Sequence, residues 1–133
     1  MIVTEVETVR LEEFPNILWV LVHTDEGLTG LGEAKKIATM AEAYHLPVAP
    51  HDCTGPVVLA ASTHLCVNLP NALTQETVRA YYTGWYKELV TKVPEVSDGH
   101  VSPPEGPGLG TELLPGLGER PDAHLVTSRL KVQ

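Results

Sequence analysis

Val48-Ala49-Pro50-His51-Asp52-Cys53-Thr54-Gly55-Pro56 is the stretch whose reading decides the fold. A short apolar run, Leu46-Pro47-Val48-Ala49, leads into the polar cluster His51-Asp52-Cys53. Thr54 and Gly55-Pro56 then open a helical pattern that reaches about Asn68. The unit reads as strand, loop, helix, with His51 and Asp52 at the carboxyl end of the strand. In a β/α arrangement that end carries chemistry, because its loops converge on one mouth. Working outward, Lys35-Lys36-Ile37-Ala38-Thr39-Met40-Ala41-Glu42-Ala43-Tyr44 reads as a helix before the strand. Ala72-Leu73-Thr74-Gln75-Glu76 reads as a second short strand with a carboxylate at its end.

The amino end alternates instead. Ile2, Val3, Val6, Val9 and Leu11 are interleaved with Thr4, Glu5, Glu7, Thr8 and Arg10, which predicts a strand. Pro15-Asn16 is a break, and the β-branched, apolar residues 17–23 predict a second strand. Asp25-Glu26-Gly27 reads as a turn and residues 28–33 as a return strand, completing a three-stranded antiparallel meander. Residues 77–94 are amphipathic in part: Tyr81, Tyr82, Trp85, Tyr86, Leu89 and Val90 fall on one side and Arg79, Lys87, Glu88 and Lys92 on the other. Gly84 weakens any helix through their centre. From Pro94 to about Asp122, proline, glycine and aspartate predict extended segments and turns, with His100-Val101-Ser102 as one short strand. Gly106-Pro107-Gly108-Leu109-Gly110 lacks the Gly-Lys-Ser/Thr ending of a phosphate loop and reads as a turn.

Composition narrows the class. The chain has 133 residues, so by length it is one domain. Aromatic residues make up only 5%, so aliphatic side chains must build the core. The net charge of −8, without a basic run, argues against nucleic acid and anionic membrane as partners. The two cysteines, Cys53 and Cys66, are too few for a disulfide framework and read as reduced thiols. The charged start suggests no signal peptide, no apolar run approaches the ~20 residues of a spanning helix, and a cytoplasmic location is expected.

Several of these segments, in this order, resemble the enolase superfamily in its mandelate racemase/muconate lactonizing branch, most of all its sugar-acid dehydratases. The resemblance is carried by Val20 to His23 followed by Asp25-Glu26-Gly27-Leu28-Thr29-Gly30-Leu31-Gly32-Glu33-Ala34, by the helix of residues 36–44, by Ala49-Pro50-His51, by Gln75-Glu76, and by Asp98-Gly99 with the Gly106-to-Gly110 segment. It implies an α/β fold of mixed α+β character: an antiparallel meander from an enolase-type capping domain (residues 1–34), the last β/α units of an incomplete TIM barrel (35–94), and a Pro/Gly-rich tail returning to the cap (95–133). In the family a long stretch separates the Gly-Glu-Ala element from the Lys-Ile-Ala helix, whereas here Ala34 runs straight into Lys35. A complete barrel needs about 250 residues. The chain therefore reads as an internally deleted or truncated member.

The resemblance implies Mg²⁺-dependent dehydration of an aldonic or aldaric acid through an enediolate. His51 is then an acid/base residue, a role imidazole suits because it titrates near working pH. Glu76 is a second catalytic candidate, hydrogen-bonding the enediolate or a substrate hydroxyl, and Asp52 a substrate-binding one. The family's three carboxylate ligands and its main base lie on strands this sequence lacks, so no metal ligand is carried over and the chain alone is expected to bind no Mg²⁺ and to be inactive. Cys53, two residues from His51 and able to share its face on a strand-like segment, is a candidate nucleophile. Among the six histidines none has His-x-x-x-His spacing, which argues against zinc. His64 and Met40 are expected in packing roles. The rival reading is a non-catalytic assembly module that uses the aromatic residues 81–86 and an unpaired sheet edge, which also predicts a homo-oligomer.

Overall fold

The computed structural model describes residues 3–13, 18–24 and 30–129. The chain forms two compact units, Met1–Gly32 with Pro115–Gln133, and Glu33–Leu114.

The first unit is a three-stranded antiparallel sheet. Strands β1 (Val3–Leu11) and β2 (Leu18–Thr24) pair with Val9 opposite Trp19 and Thr8 opposite Val20. The meander was expected to continue with a return strand over residues 28–33. Instead, its third strand comes from the carboxyl end: β7 (Ala123–Arg129) pairs with the other edge of β1, Val9 opposite Leu125 and Leu11 opposite Ala123. The Pro15-Asn16 break and the Asp25-Glu26-Gly27 turn lie outside the described residues. Leu11 is fully buried, and Arg120 joins Glu13 and Asp122, its Nη2 2.5 Å from Glu13 and its Nε 2.8 Å from Asp122.

Residues 30–33 begin helix α1 (Gly30–Ala43) rather than a strand. Two glycines in four residues favour no strand, and Glu33 in the first turn complements the helix dipole and pairs with Lys36 at 2.7 Å. The helix stops in a Schellman arrangement. Leu46 N–H donates to Ala41 O and His45 N–H to Glu42 O, with His45 at φ 57°. Asn71 holds this end by donating to the carbonyls of Ala38 and Leu46, both at 3.0 Å. Ala38 is buried, but Met40, expected to pack, is 67% exposed, because the stripe it shares with Ile37 and Tyr44 faces solvent.

The second unit is organised by one parallel β-α-β crossover. The expected strand over residues 46–49 makes only a bridge, Val48 to Ala72; the paired strand lies just beyond, β3 (His51–Asp52) beside β4 (Glu76–Thr77), His51 opposite Glu76. Pro50 interrupts the ladder on its donor side, yet its carbonyl still accepts from Glu76 N–H at 3.1 Å. Helix α2 (Pro56–Asn68) connects the strands and buries Leu59, Ala60 and Leu65, with Ser62 and Thr63 turning their hydroxyls onto Leu59 O. Residues 77–94 divide at Gly84 into α3 (Arg79–Thr83) and a 3₁₀ turn (Trp85–Glu88). A Cβ on Gly84 would meet Ala80 O at 2.7 Å. Tyr86, Leu89 and Val90 are buried here.

The tail does not act as one piece. Residues 111–114 strap the second unit: Thr91 N–H donates to Glu112 O, Leu114 N–H to Leu89 O, and Thr111 Oγ1 to Lys92 O at 2.6 Å. Strand β6 (His100–Ser102) has a partner the sequence reading passed over, β5 (Glu95–Ser97). Asp98 and Gly99 join them with φ of 51° and 77°, a two-residue hairpin of the kind Asp-Gly favours. The Gly106-to-Gly110 segment is a turn held by His64 Nε2, 3.1 Å from Leu109 O.

Candidate active site

The parallel pairing of β3 and β4 sets the site. In an extended chain successive side chains point to opposite faces, so His51 and Asp52 part company. His51 and its strand partner Glu76 are exposed; Asp52 is fully buried. His51 Nδ1 is ion-paired with Glu76 Oε2, and the other ring nitrogen, Nε2, lies 3.0 Å from Cys53 Sγ. With Glu76 accepting at Nδ1, the tautomer carrying Nδ1–H leaves Nε2 to accept from the thiol.

On the other face Asp52 is the hub of a buried network. Tyr86 Oη donates to it, 3.0 Å from Oδ2 and 3.3 Å from Oδ1, and Thr77 Oγ1 donates to Oδ2 at 3.1 Å. The backbone N–H groups of Thr54 and Gly55 also donate to this carboxylate. Burial pushes the Asp52 carboxyl up from its ordinary range, against these four donors, which pull it down. Burial, and then the negative charge of Asp52, push the Tyr86 hydroxyl above its ordinary range. At Asp52, where a substrate contact was expected, the oxygens face Tyr86, Thr77 and the loop amides.

Tyr86 and Thr77 are the residues the sequence reading missed. They lie 34 and 25 positions from Asp52; the pattern puts Tyr86 on the apolar side of residues 77–94, and the rival reading puts it on a contact surface. Instead Tyr86 is buried and packs with Trp85 at 4.5 Å (rings perpendicular) and Tyr81 at 5.8 Å. Gln75 closes the strand ends, donating to Pro50 O and Glu76 O, while the half-buried Cys66 donates to its Oε1 at 3.5 Å. Burial raises the Cys66 thiol above its ordinary value.

Among the described residues no group of three or more His, Cys, Asp or Glu side chains is placed to hold a metal ion. Mg²⁺ demands near-octahedral oxygen ligation, and the described residues alone do not supply such a ligand set. No helix among the described residues is long and apolar enough to cross a membrane.

A parallel β-α-β unit carries an imidazole-carboxylate pair at its carboxyl strand ends, the end where β/α folds place their loops. The sequence matches the family described as "Enolase C-terminal domain-like" over residues 25–117. The chain belongs to this enolase superfamily family, in the mandelate racemase/muconate lactonizing group. Over 84 residues it is 38% identical to the D-xylonate dehydratase of Haloferax volcanii, matching 63% of this chain and 20% of that protein. Over 89 residues it is 39% identical to the D-galactonate dehydratase of Pectobacterium atrosepticum, matching 63% of this chain and 23% of that one. An enolase of the mandelate racemase subgroup from Agrobacterium tumefaciens superposes with a TM-score of 0.69 at 58% identity, over 75% of this chain and 27% of the other. The chain therefore spans only about a fifth to a quarter of the curated relatives it matches.

Proposed function

We propose that this chain carries the closing part of a sugar-acid dehydratase active site. The observation that supports it most directly is the His51–Glu76 pair across the ends of two neighbouring parallel strands, with the His51 side chain 66% exposed. In this reading Glu76 holds Nδ1 and so orients the ring. His51 Nε2, once protonated, delivers the proton with which a β-hydroxyl leaves an aldonic or aldaric acid as water. Asp52 works from beneath as a positioning residue, fixing the strand end through Tyr86 and Thr77.

The base that removes the α-proton and the ligands for Mg²⁺ have no counterpart among the described residues, and without them the chain alone has little or no activity. The test is a panel of aldonic and aldaric acids assayed with Mg²⁺. Turnover near the common enzyme value of about 10 s⁻¹ refutes the inactivity. A ligand of the native state raises its melting temperature, so an unchanged melt in millimolar Mg²⁺ is also expected.

A second reading, assembly through self-association, is favoured by one observation. Ile37, Met40, Tyr44, Val67 and Leu73, all large and apolar, lie exposed in the same unit as the two-stranded parallel pair. Parallel strands are ordinarily covered on both faces, and unpaired edges recruit further chains. A homo-oligomer is expected in sedimentation velocity; a monodisperse monomer with a sharp cooperative melt removes this reading.

A further inference from the structure

We propose that Cys53, His51 and Glu76 form an activated-thiol site that adds covalently to α,β-unsaturated carbonyl compounds. Three residues from two strand ends line up in sequence. Cys53 Sγ lies 3.0 Å from His51 Nε2, and His51 Nδ1 is paired with Glu76 Oε2. Cys53 is exposed, so an electrophile can reach it. A thiol becomes a strong nucleophile when a base within hydrogen-bond reach takes its proton, and a third group that orients the base completes the arrangement.

The step balances without any co-reactant. The Sγ–H proton passes to His51 Nε2 as sulfur bonds to the β-carbon of the acceptor. The C=C pair shifts to the α-carbon, which then takes the proton from Nε2. The product is a thioether, and His51 returns to its starting tautomer.

The surroundings decide between this chemistry and acyl transfer. A cysteine acyl-transfer site needs free backbone N–H groups beside the nucleophile to hold an oxyanion. The nearest such groups, those of Thr54 and Gly55, already donate to Asp52. Conjugate addition places the developing charge on the acceptor's own carbonyl, further from sulfur, and makes no such demand. The site shares His51 and Glu76 with the dehydratase reading but does not rest on it, since neither sugar acid nor divalent ion takes part.

The intact chain is treated with acrylamide at neutral pH, without metal, and adducts are located by peptide mass mapping. A free thiol is only a few per cent ionised at pH 7, so Cys53 is expected to react at least about tenfold faster than N-acetylcysteine under the same conditions. Cys66, half-buried and hydrogen-bonded to Gln75, serves as the slow internal comparison. His51→Ala is expected to bring Cys53 to within about twofold of N-acetylcysteine, and Glu76→Gln to an intermediate rate. Should His51→Ala fail to fold, the wild-type chain in urea replaces it, and the rate excess must vanish on unfolding. A Cys53 no faster than N-acetylcysteine, a rate unchanged by His51→Ala, or an excess that survives unfolding each overturns the proposal.

Discussion

Tyr86→Phe removes one hydroxyl from the centre of the second unit, and its cost follows from the geometry. The hydroxyl is fully buried and donates to Asp52 from 3.0 Å. A hydrogen bond to a charged group contributes about 1.5–3 kcal/mol, and a neutral one about 0.5–1.5 kcal/mol. Asp52 keeps three other donors in the variant, Thr77 Oγ1 and the amides of Thr54 and Gly55, so its carboxylate is not stranded. The loss at pH 7 therefore belongs at the low end of the charged range, about 1.5–2 kcal/mol. It must also depend on pH. Tyr86 is the strongest of the donors that pull the Asp52 carboxyl down, so without it that carboxyl rises further. Below the ordinary value of 3.8 the carboxyl is neutral in folded and unfolded chains alike, the lost bond is a neutral one, and the deficit shrinks to about 1 kcal/mol. The assay is urea unfolding followed by Trp85 fluorescence in a Trp19→Phe background, since the Trp85 ring touches Tyr86 edge-on. A variant within about 0.5 kcal/mol of its parent at pH 7, or one more damaged in acid than at neutrality, refutes this account of the network.

The native chain carries a related signature. The folded Asp52 carboxyl lies above its unfolded value, so the folded state binds more protons, and this group's contribution to stability falls as pH rises from 3.8 through the folded value. Asp52→Asn should flatten that part of a stability-against-pH curve, and an unaltered slope would assign it to other groups. His45→Gly should raise stability by about 0.5–1 kcal/mol, because His45 occupies the left-handed position that closes α1; a lower melting temperature would contradict the Schellman assignment. Gly110→Ala should cost at least about 2 kcal/mol, since φ is +68° and the new Cβ would fall 2.1 Å from Pro104 O. A neutral result in thermal melts would show that this turn relaxes freely.

The sequence alone determined the elements whose signals are local. Gly55-Pro56 marks the start of α2 because proline suits a first turn, and the helix ends at Asn68 as its apolar pattern does. Gly84 divides residues 77–94 because a side chain there would strike the preceding turn. The family, too, was legible, since its motifs are short runs read in order. His51 and Glu76 were legible as strand-end residues, and their parallel register puts them side by side.

What only the tertiary structure decided concerns partners distant in the chain. The third strand of the first sheet is β7, more than a hundred residues from β1, because an edge strand takes whichever segment can hydrogen-bond to it. Residues 30–33, rich in glycine, begin helix α1 instead of a strand. Asp52 and Tyr86 meet across 34 positions, and no periodicity reports such an encounter. Strand alternation puts Asp52 on the buried face while His51 stays exposed, so Asp52 meets Tyr86 and Thr77 whereas His51 meets Glu76 and Cys53.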